Sequence, residues 1–314
     1  MAGRSTRYTV LIAGAANVFV GAIKLAAGIM VGSSAMLAEA AHSAADTLNQ
    51  AFLLASLRRG ERPADPRHPF GHGQERYFWS LLAAFGIFIA GAGFSVFEGL
   101  LALRRGGTEN PLIAYAVLAA AGVAEGTSLI RVLIQFRGEA RRNHLGVLDQ
   151  VRSSPDTTVK ATLFEDSAAL IGLALAALGL ALRQVTGSPV WDGAASIAIG
   201  GLLVVVAVRL GLDSRDFLIG RAADPRDLAV IQAEIENAPG VDALVDLRTM
   251  HLGPEHLIVA ARVGFSDDIS ADRAGDVADD IDRRLSDRLP LVPHVFLDPT
   301  QIPSGSRPEE LYRA

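Results

Sequence analysis

The chain has 314 residues, half of them apolar, a formal net charge of −5 and no cysteine, and its mean hydropathy is positive. That composition is too apolar for a soluble two-domain protein of this length. The missing cysteine excludes disulfides and thiolate sites and leaves His, Asp, Glu and water to hold any metal. The acidic balance offers no general attraction to nucleic acid, so none is expected as a partner.

Apolar material is concentrated before about Leu212 and divides into six stretches long enough to span a bilayer as helices. Met1 to Arg7 is basic, but the apolar run behind it continues past a signal-peptide core, so no cleavable leader is expected. The first span is Tyr8 to Val31, with Asn17 near its middle and Lys24 further on. Only Gly32-Ser33-Ser34 separates it from the second, Ser33 to Leu57, so the two must be antiparallel neighbours. Arg58 to Arg76 is polar, broken by Pro and Gly, and reads as a loop. Tyr77 to Leu103 is the third span, with Glu98 towards its end. The fourth, Pro111 to Phe136, carries Glu125 and Arg131 and is expected to stop at Arg137-Gly138. A polar segment to Asp156 leads into the fifth, Val159 to Leu182, and Gly187-Ser188-Pro189 turns the chain into the sixth, Val190 to Leu212.

Lysine and arginine orient these spans. Arg4 and Arg7, Arg58, Arg59, Arg62, Arg67 and Arg76, and Arg137, Arg141, Arg142, Arg152 and Lys160 fall on one side; only Arg104, Arg105 and Arg183 fall on the other. Both termini are therefore expected on the cytoplasmic side of a multi-pass cell-membrane protein.

The second span carries Glu39, His42 and Asp46 well inside its boundaries. Spacings of three and four put them on one helical face. That face cannot look at lipid, because each ionised carboxylate near the bilayer centre costs roughly 2.5–3.5 kcal/mol on insertion scales. His42 and Asp46 can close on one divalent cation; the alternative is a satisfied polar pair inside the bundle. The fifth span brings Glu165 and Asp166. Adjacent residues point about 100° apart, so both facing one ion is not expected. Asp166 is the better ligand, since Thr162 and Ala169 on its face allow close helix approach; alternatively the two acids cap a helix start at the interface. In the second loop, Asp65, His68 and His72 have the types and spacing of a zinc site, or the histidines only shape a turn.

From Asp213 the pattern becomes that of a soluble domain. Pro225 to Asn237 reads as a helix with Asp224 as N-cap. Val241 to His251 and His256 to Phe265 read as strands about a Gly253-Pro254 turn, Ser270 opens a second helix ending near Leu289, and Val292 to Leu297 is a last strand. The expected architecture is an α-helical membrane protein: six transmembrane helices in residues 1–212, a small cytoplasmic α+β (αββαβ) domain in 213–300, and a flexible tail in 301–314.

GSSAMLAEAAHSAADT, HPFGHGQER, the acidic LFEDSAAL of the fifth span and the αββαβ ending resemble the cation diffusion facilitator family of divalent-metal transporters, over nearly the whole chain. LFEDSAAL is similar to one subgroup of it. The resemblance implies a tetrahedral transport site with two ligands on the second span, matched by His42 and Asp46, and two on the fifth, of which Asp166 is matched. Thr162 stands where many members have His or Asp, so Glu165, a water or Asn17 must supply the fourth ligand. Asp65, His68 and His72 match a secondary site of the family. In the terminal domain Val245, Arg262 and Phe296 stand at positions where members often have ligands, with Asp298 retained, so a full metal site is not expected there. His251, His256 and His294 have no assigned role.

The implied function is proton-coupled efflux of a divalent cation, zinc first with manganese, iron or cobalt open, by alternating access in a homodimer. Ligands must lose protons to bind a cation, and His42, with a reference pKa of about 6.5, is the natural coupling group. The transported metal is substrate, and protons and the lipid bilayer are the remaining partners. The rival readings are a membrane-anchored metal sensor or scaffold without transport, and a membrane hydrolase, for which no HExxH or activated nucleophile is present.

Overall fold

The computed structural model describes residues 2–103, 111–142, 146–154, 157–266 and 269–300. Arg104, Arg105 and the tail from 301 lie outside them. The chain divides into two compact units, one of Met1–Arg59 and Arg76–Arg215, the other of Gly60–Glu75 and Asp216–Ala314.

The first unit is helical: α1 (Ala2–Val31), α2 (Ser34–Gly60), α3 (Glu75–Gly86), a π-helical stretch (Ile87–Gly93) continuing into α4 (Phe94–Ala102), α5 (Pro111–Arg142), the short α6 (Val147–Ser153), α7 (Thr157–Thr186) and α8 (Val190–Ile219), the last of which runs on into the second unit. Among the described residues, four helical stretches are long and apolar enough to cross a membrane: Glu75–Ala102, Leu112–Arg142, Val159–Thr186 and Val190–Ile219. α1 contributes the shorter apolar stretch Asn17–Val31. α2 has the length, but Glu39, His42, Asp46 and Asn49 dilute its hydropathy, and all four are buried. A polar helix is tolerated there only if its polar face is turned inward.

The turn between α1 and α2 is fixed by a residue from another part of the chain. Asp192, at the start of α8 and fully buried, accepts from Ser33 Oγ and from the Ser34 amide, both at 2.6 Å. A carboxylate is well placed there, because the first amides of a helix have no intrahelical acceptor. Arg183, near the end of α7, donates to the same carboxylate at 3.3 Å. Ser95 Oγ of α4 donates to the Gly91 carbonyl of the π-helical segment at 2.7 Å, and Ser196 of α8 donates to the Ser95 carbonyl at 2.7 Å.

Among the helices, two ends and one added element differ most from expectation. The fourth span does not stop at Arg137-Gly138: α5 continues to Arg142. An interior glycine costs a helix only about 1 kcal/mol, and Gln135 bonded to Glu139 at 3.0 Å bridges it. The following polar segment contains α6, which its few apolar residues did not suggest. The last span extends beyond Leu212 to Ile219 and ends where Gly220 takes φ +110°, a conformation open to glycine.

The second unit contains α9 (Pro225–Glu236), β1 (Val241–Gly253), β2 (His256–Phe265), α10 (Ala271–Arg288) and β3 (His294–Pro299), the αββαβ order expected. Asp224 and Ser270 cap the two helices, accepting from the amides of Arg226 and Arg273. The sheet order is β1-β2-β3; the first pair is antiparallel and the second parallel, with α10 as the crossover a parallel pair requires. Ile231, Ile235, Leu257, Val259, Val263, Ile281 and Leu285 form its buried core.

Candidate metal centres

The inner face of α2 carries Glu39, His42, Asp46 and Asn49 at spacings of three and four. His42 Nε2 lies 3.7 Å from Asp46 Oδ2, with the imidazole almost fully buried. Asp46 Oδ1 and both ring nitrogens of His42 have no hydrogen-bond partner among the described residues. One turn further, Asn49 Nδ2 donates to Glu165 Oε2 of α7 at 2.6 Å, leaving Glu165 Oε1 free. Asp166 is also buried; its carboxylate is engaged by Ser128 of α5, and its Oδ2 is free. Asp46 interacts electrostatically with Glu165, with Asp166 and with the half-buried Glu125 of α5.

The fifth-span acids thus diverge, as their 100° separation requires, Glu165 meeting α2 through Asn49 and Asp166 meeting α5 through Ser128. No three of the residues His42, Asp46, Glu165 and Asp166, each offering one ligand atom, bring those atoms within 4.8 Å of one another. Thr162 is half-buried on α7. Asn17 lines an apolar groove with Gly21, Ser43 and Thr47, away from the face that carries His42 and Asp46.

Sequence reading missed the partners that hold these acids. Asn49 continues the same spacing and could have been found by extending it. Lys24, whose Nζ donates to Glu39 Oε2 at 3.1 Å with both side chains fully buried, was also missed and could have been found from the short turn, which makes the two helices neighbours. Ser128 carried no signal.

The second centre lies in the second unit. Asp65, His68 and His72 form the one group of three His, Asp or Glu residues, among those described, whose ligand atoms all lie within 4.8 Å. Asp65 and His68 exchange backbone hydrogen bonds of 3.0 and 3.1 Å, and Asp65 Oδ1 also accepts from the amides of Arg67 and His68 at 2.8 Å. These amide hydrogen bonds, that of His68 foremost, hold the exposed Asp65 carboxyl below its ordinary pKa. His68 Nδ1 is 3.2 Å and His72 Nε2 3.5 Å from the carboxylate. Gly73 presses on the backbone at Leu252 and Gly253, leaving no room for a Cβ.

In the sheet, Arg262 pairs with Asp298 at 3.3 Å and donates to Thr300 at 2.8 Å. His256 is exposed, and His294 stacks edge-on against Phe70. His251 is buried against Phe217, and burial pushes its pKa down.

A bundle of long helices, one with an acidic and imidazole-bearing inner face, followed by an αββαβ domain, defines a multi-pass membrane protein with two candidate cation centres. Residues 10–219 match the cation efflux transmembrane domain and residues 223–298 the cytoplasmic domain of cation efflux proteins. The chain belongs to the cation efflux family. It is 36% identical over 243 residues to the mitochondrial proton-coupled zinc antiporter SLC30A9 of Xenopus laevis, an alignment covering 77% of this chain and 44% of that protein. It is 34% identical to metal tolerance protein C4 of Arabidopsis thaliana, over 74% of this chain and 51% of that one. The manganese efflux system protein MneS of Bacillus subtilis is 27% identical over 93% of this chain and 94% of its own. The chain thus spans about half the length of the frog and plant relatives and nearly the whole of the bacterial one.

Proposed function

We propose that this chain is a transporter, not an enzyme, and exports divalent metal cations, zinc first, from the cytoplasm across the cell membrane in exchange for protons. It does so as a homodimer with both termini cytoplasmic. The observation that carries the reading is the His42–Asp46 pair: an imidazole and a carboxylate 3.7 Å apart, buried in a helix of a membrane bundle, with free ligand atoms on both. Free lone pairs in hydrocarbon are costly unless a cation visits them. Glu165 and Asp166 on α7 each keep one free oxygen, and drawing one of these acids together with His42 and Asp46 on one ion is the step that transport requires of α2 and α7.

Binding a cation requires deprotonated ligands, so loading the site releases protons and protonation expels the ion. Alternating access presents the same residues first to one side and then to the other. One imidazole among carboxylates admits zinc and also manganese, the ions named for the frog and Bacillus relatives. Asp65, His68 and His72 hold a second cation outside the spans, with a donor set and spacing that suit zinc.

Reconstituted into proteoliposomes with an imposed proton gradient, the protein should move zinc, and Asp46→Ala should reduce flux to that of empty vesicles while remaining folded. Zinc binding without flux in the unsubstituted protein would favour the sensor or scaffold reading; undiminished flux in Asp46→Ala would remove the site assignment.

A further inference from the structure

The polar face of α2 continues past His42. Glu39 lies one turn nearer the Gly32–Ser33 turn, displaced by about 4.5 Å along the helix axis. It is fully buried, and its surroundings repeat those of Glu165. One oxygen is held by an internal donor, Lys24 Nζ at 3.1 Å in place of Asn49 Nδ2 at 2.6 Å, and the other is free. The free oxygen, Oε1, faces α7 at Gly172, so closely that a Cβ at 172 would collide with it. The bundle has made room for this carboxylate on the helix that also carries Glu165 and Asp166.

A purely structural ion pair fits this arrangement poorly. Buried ion pairs contribute little net stability compared with apolar residues of the same size, and a structural carboxylate would have both oxygens under donors, since an orphaned buried acceptor is costly. A residue that takes a cation for part of a cycle needs what Glu39 has: a free lone pair on the same face as the principal ligands, and a tethered positive charge beside it when no ion is bound.

We propose that Glu39 is a cation-binding residue of the transport path, an outer station one turn from His42 and Asp46 that accepts the divalent ion on Oε1 as it leaves them. Lys24 is its resting counter-charge. The arriving ion and the ammonium repel each other, which keeps the station weak, and a path of several weak sites lets an ion both enter and leave. This rests on His42 and Asp46 being the transport site.

The test separates a structural pair from a cation-handling one by keeping the pair balanced while removing or moving the carboxylate. In the full-length protein, K24Q/E39Q replaces both charges by neutral amides, and K24E/E39K exchanges them. Zinc flux in proteoliposomes, zinc affinity in detergent and the melting temperature are read together. A structural pair predicts that either balanced variant folds and transports as the parent does. The station predicts a folded protein with zinc affinity within a few-fold of the parent and flux lowered by about 10-fold or more. Either variant, folded and transporting at the parental rate, overturns the proposal; should one not fold, the other decides. An unsubstituted protein that moves no zinc would remove the transport site itself, whereas flux that Asp46→Ala abolishes and K24Q/E39Q preserves would remove only the Glu39 station.

Discussion

The two candidate centres use the same ligand types in opposite ways. In the second loop Asp65, His68 and His72 already stand within reach of one ion, in a turn open to water. On α2 and α7 the acids are spread along two helices, and Glu165 and Glu39 each have one oxygen under an internal donor and one free. The difference follows from the medium. Asp65 and His68 are exposed while His72 is largely enclosed, so water can solvate most of the loop's ligand atoms while no ion is bound, and the three groups can be assembled in advance. Inside the bundle that solvation must come from the chain, and Asn49, Ser128 and Lys24 supply half of it. A preassembled centre suits an ion that stays; a divided one suits an ion that must leave.

The sharpest way to break this comparison is to remove ligands from each centre in turn. Asp46→Ala should abolish zinc flux in proteoliposomes, whereas His68→Ala with His72→Ala should leave flux of the parental order and lower the bound zinc by one ion per chain in equilibrium dialysis. If the loop variant stops transport as completely as Asp46→Ala, the centres are one functional unit and the contrast fails.

A smaller effect sharpens it. Asn49 donates to Glu165 Oε2 and leaves Oε1 without a partner, so it positions the acid and does not compete with a metal for that second oxygen. Asn49→Ala should weaken zinc binding at the intramembrane centre by roughly 10- to 100-fold, the usual loss when a partner behind a ligand is removed. Titration calorimetry on the loop double variant would isolate that site; unchanged affinity would show that Glu165 is not a ligand.

Packing supplies a third test. Gly172→Ala would drive a methyl group into Glu39 Oε1, and overpacking of this kind costs about 1–3 kcal/mol. A lowered melting temperature in detergent is expected, with zinc affinity at His42 and Asp46 retained; an unshifted melting temperature would mean that α2 and α7 do not lie this close.

How much of this was legible in the sequence depended on periodicity. The polar face of α2 followed from spacings of three and four, and the αββαβ order from alternating strands, an N-cap aspartate and an N-cap serine. Helix ends were less legible: Arg137-Gly138 looks like a stop, yet α5 runs through it because one glycine costs less than the surrounding turns return. Contacts between helices were the least legible. Nothing local to Asp192 says that it caps α2, and nothing local to Asp166 points to Ser128, because such pairings depend on how helices rotate against one another. Lys24 and Glu39 are the exception, since a turn too short to allow any other arrangement pairs their helices.

The smallest expected effect concerns a buried imidazole outside the spans. His251 on β1 lies against Phe217, its Nδ1 has no hydrogen-bond partner, and among the described residues no carboxylate forms an ion pair with it. Burial lowers its folded-state pKa below the ordinary imidazole value of about 6.5, so as pH falls the unfolded chain binds the extra proton first. Its contribution to stability is therefore intact above the unfolded pKa and declines as pH falls through about 6.5 towards the folded value. Protection factors along β1, which divide out the intrinsic pH dependence of amide exchange, should fall between pH 7.5 and 5.5 in the parent and fall less in His251→Gln. An identical fall in both would assign the acid sensitivity to another group.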